Sequence, residues 1–258
     1  MNCCPRPSHN AAFNPGEVSS AALLTFIYGD LAMDNNKPIQ ELILGNNLEV
    51  MQKMPNDFVD FVLTDPPYLV NYIDRANRSI KNDINGDWLN PTFAELHRIL
   101  KPDSFMVSFY GWTKIDLFFA AWKAAGFSVV GHIVYPKRYA SSTQFLAYQH
   151  ESAFLLAKGR PEKPAKPLSD VGVWNYTGNK LHPTQKPLSA LSPLVETFSP
   201  ANGIVLDPFA GSGSSCEAAK LAGRQYIGIE IDPQYHTLAQ ERLNNTGRKN
   251  DWNYQKVA

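Results

Sequence analysis

The chain has 258 residues, 44% hydrophobic and 19% charged, a composition that suits one or two globular domains with a sizeable core. Lys and Arg balance Asp and Glu at 24 each, which argues against a strongly basic, non-specific nucleic-acid binder, although a neutral total can hold a local basic patch. Three cysteines (Cys3, Cys4 and Cys216) make no disulfide framework and have no metal-ligand spacing, so a reducing, cytoplasmic setting is expected and no metal.

The apolar stretch AALLTFIY (21–28) is far shorter than a membrane span, and it lacks the charged flank of a signal peptide. Residues 1–36 read as a loose or locally docked tail before a domain over 37–258. From residue 39 apolar runs alternate with helical patterns. IQELILG (39–45) reads as a strand, NLEVMQKM (47–54) as a short helix and DFVDFVLT (57–64) as the next strand. PTFAELHRIL (91–100) has proline at a first helical position, with Phe93, Leu96, Ile99 and Leu100 at helical spacing. SFMVSFY (104–110) follows as a strand, then a helix through KIDLFFAAWKAAG (114–126) closed by Gly126. FSVVGHIVY (127–135) and ESAFLLAKG (151–159) are further strands, and RPEKPAKPLSD (160–170) is a loop. KPLSALSPLVETF (186–198) is a helix that Pro193 should kink or break. GIVLDPF (203–209), SSCEAAKLAG (214–223), RQYIGIEI (224–231) and DPQYHTLAQERLN (232–244) read as strand, helix, strand and helix. Such alternation predicts an α/β fold, a mostly parallel sheet with helices on both faces.

Two strand ends match. FVLTDPPY (61–68) and GIVLDPFAGSG (203–213) are both buried-type runs that stop on Asp-Pro. Prolines 66 and 67 fix their own φ and remove two backbone donors, so no ladder continues through them. Ligands of open α/β sheets sit outside the carboxyl ends of strands, which makes these ends two adjoining pockets if they share a rim. Gly211 and Gly213 permit a tight turn before a helix, but Cys216 stands where a dinucleotide fingerprint needs glycine, and there is no Walker lysine. Glu230 lies 17 residues beyond Gly213, near the interval at which a strand-end acid reaches ribose hydroxyls. The set suits a nucleoside cofactor without a pyrophosphate.

TDPPY (64–68), HPTQKP (182–187) and DPFAGSGSS (207–215), in this order, resemble the β-group DNA amino-methyltransferases of adenine N6 and cytosine N4. RILKPDS (98–104) and QHESAFLLAKG (149–159) extend the resemblance to about residues 39–243. It implies a Rossmann-like methyltransferase fold that uses S-adenosyl-L-methionine, with DNA as partner; homodimers are common in the group. It places Asp207, Phe209, Gly211, Ser212, Gly213 and Glu230 at the cofactor, with Lys186 near the methionine end. Family members usually carry aspartate where this chain has Asn46, which would face the cofactor adenine. The catalytic residues implied are Asp65, Pro66, Pro67 and Tyr68.

An exocyclic amine shares its lone pair with the ring and is a poor nucleophile. Asp65 and the Pro66 carbonyl would each accept one of its N–H groups, the prolines would hold both acceptors rigid, and Tyr68 would stack on the flipped base. Cytosine C5 chemistry would need a nucleophilic cysteine after proline, but the three cysteines follow Asn2, Cys3 and Ser215. DPPY accompanies adenine more often in the resembled group, so adenine N6 is the expected target and cytosine N4 the alternative. A silent DNA-binding protein on the same fold is the reading from another class.

DNA contact is expected from the basic residues Lys137, Arg138, Lys158, Arg160, Lys163, Lys166, Lys180 and Lys186, with Tyr135, Tyr139, Tyr148, Trp174 and Tyr176 interleaved. The segment at 160–181 is the short DNA-contact region of that reading, too short for an independent recognition domain, and residues 71–88 are a second candidate. No restriction nuclease is visible in this chain, so one would be a separate partner.

Overall fold

The computed structural model describes residues 38–72, 80–140, 142–143, 145–178 and 184–247. The expected tail over 1–36, Lys180, His182 and Pro183 lie outside them. In chain order the elements are β1 (Gln40–Leu44), α1 (Asn47–Met51), β2 (Val59–Thr64), α2 (Leu89–Ile99), β3 (Leu100–Phe109), α3 (Ile115–Ala125) and β4 (Ser128–Pro136). There follow β5 (Ser142–Thr143), β6 (Ala147–Tyr148), β7 (His150–Lys158), α4 (Leu188–Phe198), β8 (Ile204–Asp207), α5 (Ser214–Leu221), β9 (Gln225–Glu230) and α6 (Pro233–Asn245).

Seven strands form one sheet in the order β1-β9-β8-β2-β3-β7-β4. The first five are parallel, and β7 runs antiparallel to both β3 and β4. This is the mostly parallel α/β sheet expected, with one antiparallel strand inserted near an edge. Strands buried on both faces read as continuous apolar runs. Phe61 and Leu63 point into a core with Val107, Val205 and the helices α4 and α5, while the intervening Val62 is also fully buried.

From β2 the chain steps through α2 to β3, and from β8 it steps through α5 to β9 on the opposite side. Right-handed crossovers in opposite directions put α2 and α5 on opposite faces. The strand order therefore reverses between β2 and β8, which is where a sheet of this kind opens a crevice.

Gly126 ends α3 in the left-handed conformation at φ 100°, as its position suggested. Pro193 breaks nothing: α4 runs through it to Phe198. Its missing N–H forfeits one intrahelical bond, while Leu191, Leu194 and Val195 bury the same helix against the sheet.

Gly228, in the middle of β9, lets α5 and β1 approach: a Cβ there would lie 2.7 Å from Cys216 Sγ and 2.8 Å from Leu42 Cδ1. Gly228→Ala should destabilise the fold by about 1–3 kcal/mol, as overpacking of a close contact does. A urea midpoint equal to that of the wild type would show that the layers can part without cost.

Candidate active site

Asp65 follows the last residue of β2, beside the strand-order reversal. Its Oδ1 accepts a hydrogen bond from the Tyr68 hydroxyl at 2.9 Å, and its Oδ2 accepts one from Lys186 Nζ at 2.6 Å. The Lys186 side chain is 5% exposed and its ammonium also lies over the rings of Phe109 (5.0 Å) and Tyr68 (5.3 Å). Burial pushes the Asp65 carboxyl above its ordinary range, and the Lys186 charge opposes this. The Tyr68 phenol is pushed well up, first by burial and then by the Asp65 charge.

Pro66 and Pro67 are buried, and the chain beyond them is forced into an unusual path. Leu69 and Asn71 have φ of 61° and 51°, a region that side chains other than glycine rarely adopt. Asp83, 1% exposed, holds that path: its carboxylate accepts from the backbone N–H of Leu69 (2.5 Å), Val70 (3.3 Å) and Tyr72 (2.7 Å). On the other side a Cβ at Gly111 would lie 2.7 Å from both the Cβ and the carbonyl oxygen of Tyr68, so only glycine fits there.

The loop after β8 mirrors this arrangement. Asp207 Oδ1 accepts from the Phe209 N–H at 3.0 Å, and Gly211 and Gly213 take positive φ of 51° and 78°. Glu230, at the end of β9, accepts from the N–H of Gly211 and of Asp232, each at 2.7 Å, and so ties two strand ends together. Burial raises its carboxyl, against those two amides. Arg242 on α6 braces the turn from behind, donating to the Ser212 carbonyl (3.2 Å) and the Ser214 hydroxyl (2.8 Å) and pairing with Glu217.

These loops enclose one cleft of about 1070 Å³, counting its open mouth, lined by Asp65, Tyr68, Lys186, Phe209, Gly211 and Glu230 among others. Pro66, Pro67, Asp207 and Ser212 also face it, and Ile80 to Asp83 form a wall that Lys81 joins to Asp232 at 3.4 Å. Gly213 stands just behind, capping α5 and packed against Ala239.

Asn46 differs from its expected place. Its side-chain oxygen accepts from the N–H of Leu48 (2.9 Å) and Glu49 (3.4 Å), capping α1, and the cleft is lined at this strand end by Gly45 and Asn47 instead. Asparagine is a strong N-cap residue, so a local demand accounts for it.

The seven of these basic residues that are described do not gather into one patch, since Lys137 and Lys158 stand at opposite ends of β7. Lys137, its side chain 2% exposed, pairs with Glu151 at 2.7 Å and lies over the rings of Tyr139 and Trp174. The Glu151 charge reaches Asp65 and Tyr68. Lys158 pairs with Asp57 at the opposite end of β7, on the far rim. Sequence reasoning missed Asp83, Gly111, Glu151 and Arg242 as parts of the site, although Glu151 belongs to the QHES segment that carries part of the resemblance.

Folded, Asp207 titrates at about 7 because burial raises it; unfolded, it returns to the ordinary carboxylate range. Between those values the folded chain keeps a proton that the unfolded chain has lost, so stability falls as pH rises through the window. Asp65 and Glu230 are shifted in the same sense. Asp207→Asn should therefore show a shallower loss of stability than wild type in urea unfolding of the ligand-free chain between about pH 5 and pH 8. Identical losses in the two chains would mean that Asp207 enters the fold already charged.

A sequence profile for the N6/N4 family described as DNA methylase matches residues 59–241. The chain is 55% identical over 205 residues to "Putative methylase YubD" of Escherichia coli (strain K12), covering 80% of this chain and 90% of that one. To the DNA adenine methyltransferase YhdJ of the same organism it is 27% identical over 241 residues, 78% of this chain and 82% of that one. Among solved structures, the M1.HpyAVI–SAM complex matches with a TM-score of 0.64 at 25% identity, over 79% of this chain and 98% of that one.

Proposed function

The chain belongs to the N6/N4 DNA methylase family and is a DNA methyltransferase that uses S-adenosyl-L-methionine, and from that premise we propose that its target is the exocyclic N6 amine of adenine. The observation that carries the reading is the Asp65 carboxylate at the floor of the cleft, between Tyr68 and the buried Lys186. Its DPPY setting goes with adenine more often in the resembled group, and YhdJ is named an adenine methyltransferase.

The residues present fit the cofactor. Glu230 offers a carboxylate fixed by two backbone amides, Phe209 an aromatic wall, and Gly211 a backbone with no Cβ in the way. We assign Asp207, Phe209, Gly211, Ser212 and Glu230 to holding it, with Gly45 and Asn47 in the place expected of Asn46. Bound there, S-adenosyl-L-methionine supplies an electrophilic methyl group.

The base must leave the duplex, which costs a few kcal/mol, and stacking on Tyr68 is worth about 1–3 kcal/mol of that. Asp65 and the Pro66 carbonyl then accept the two amine N–H bonds, which biases the nitrogen lone pair out of conjugation and aims it. No strong base is required beforehand, because the nitrogen becomes acidic only as the methyl group arrives. Lys186 favours the ionised form of Asp65, opposing the burial that favours its protonated, donor form. Glu151 is the acid whose charge opposes it, and the Asp65 charge in turn raises the Asp207 carboxyl.

Incubated with labelled S-adenosyl-L-methionine and unmethylated genomic DNA, the enzyme should yield N6-methyladenine on nucleoside mass spectrometry, and sequencing of the product should locate the modified positions. Asp65→Ala should lose at least about 100-fold in transfer while keeping cofactor affinity. N4-methylcytosine as the product would replace the adenine assignment, and undiminished transfer in the variant would remove Asp65 from the chemistry.

Lys186→Gln takes away the only cation bonded to Asp65 among the described residues, so the acid limb of the kcat profile should move to higher pH. An unmoved limb with a raised cofactor Kd would assign Lys186 to the cofactor alone.

A further inference from the structure

Between β4 and β7 the chain forms a small ribbon that neither the family resemblance nor the catalytic cleft accounts for. The β4–β7 pairing ends at Pro136 and His150, is prolonged by a Lys137 N–H bond to the Gln149 carbonyl at 2.7 Å, and continues outward as β5 on β6. At the tip, Phe145 is 96% exposed and Leu146 67%. Two adjacent large apolar side chains held out in water at the end of a narrow arm ask for an occupant.

Three observations say what it is. The ribbon rises from the rim that carries Asp65: Thr64 pairs with Ser108, and Phe109 with Ala153, two residues into β7 from Glu151. Its base is anchored beside the catalytic tyrosine. Tyr148 stacks on Trp112 at 5.5 Å and 26°, and Trp112 follows Gly111, the residue pressed against Tyr68. Its charge is one-sided, since residues 137–150 contain no Asp or Glu, while Arg138, His150 and the neighbouring Lys114 are exposed. Apolar tip, aromatic base and cationic flanks match a duplex better than a second copy of a neutral chain, and a two-stranded ribbon is narrow enough to enter a DNA groove.

We propose that the ribbon is the wedge of base flipping: Phe145, with Leu146 behind it, inserts into the stack and occupies the space the target base leaves. Apolar side chains that enter base steps in this way offset the loss of stacking and keep the base from returning. The inference rests on methyl transfer to a flipped base, but assigns a role outside the cleft.

Two short duplexes carrying the sequence found methylated separate the possibilities, one fully paired and one with an abasic site opposite the target base. A base without a partner needs little help to leave the helix. Phe145→Ala should lose at least about tenfold in transfer on the paired duplex and less than about twofold on the abasic one, with cofactor affinity by calorimetry unchanged. Leu146→Ala should show the same selectivity, more weakly. Equal losses on both duplexes, or none on either, would overturn the wedge, as would a variant whose only change is its sedimentation as a smaller assembly. A wild-type chain that methylates neither duplex would instead overturn the transfer itself, and the wedge with it.

Discussion

Three carboxylates converge at the carboxyl ends of three neighbouring strands, and the site is built around keeping them there. Asp65, Asp207 and Glu230 all sit at strand ends facing the same cleft, and the charges of Asp65 and Glu230 both raise the Asp207 carboxyl. Burying like charges together is costly unless each is compensated. Each is compensated differently. Asp65 has an ammonium, Glu230 has two backbone amides from separate loops, and Asp207, with the Phe209 amide and the Ser215 hydroxyl, stays close to neutral pH in its titration. These three solutions suit the roles we propose: an acceptor for an amine at Asp65, and two acids, Glu230 and Asp207, that hold the cofactor.

The second requirement is rigidity. In the role proposed for Asp65, a carboxylate that meets a flipped base cannot sit on a wandering loop. Prolines 66 and 67 stiffen the chain beyond Asp65, and the strained Leu69 and Asn71 are affordable because Asp83 gathers three backbone amides around them. Across the cleft Arg242 does the equivalent for the glycine turn. Lys137 and Glu151 extend the polar network toward Tyr139 and Trp174, so the rim beyond Tyr68 is aromatic and charge-paired.

The order of the parts accords with the resemblance to the family: the DPPY strand end precedes the DPFAGSG strand end along the chain, while the two lie side by side in the sheet. The β5–β6 ribbon adds a feature on the same rim but outside the cleft, with its own exposed apolar tip. The chain thus carries Asp65, the acid we propose to meet the amine, at a rigid strand end and its exposed apolar tip on an arm.

What could be read in chain order is what depends on neighbouring residues. The apolar runs, the Asp-Pro stops at Asp65 and Asp207, the glycine turn and the interval to Glu230 are all local, because strand and helix periods and φ restrictions act over a few residues. The pairing of Asp65 with Lys186 spans 121 positions and exists only because α4 begins beside the end of β2. Asn46 could be placed at the right strand end, but whether its amide turned to the cleft or to the start of α1 was settled by the helix amides that wanted a partner. The basic residues of 137–186 look like one cluster when written in a line. The antiparallel run of β7 sends Lys158 to the far rim, and packing buries Lys137 against Glu151. Strands of two residues carry no readable period, so the ribbon with Phe145 at its tip emerged only from the pairing of β5 with β6. Local chemistry names the reactive groups; strand order decides which of them meet, because a parallel sheet brings together chain ends that no short-range rule connects.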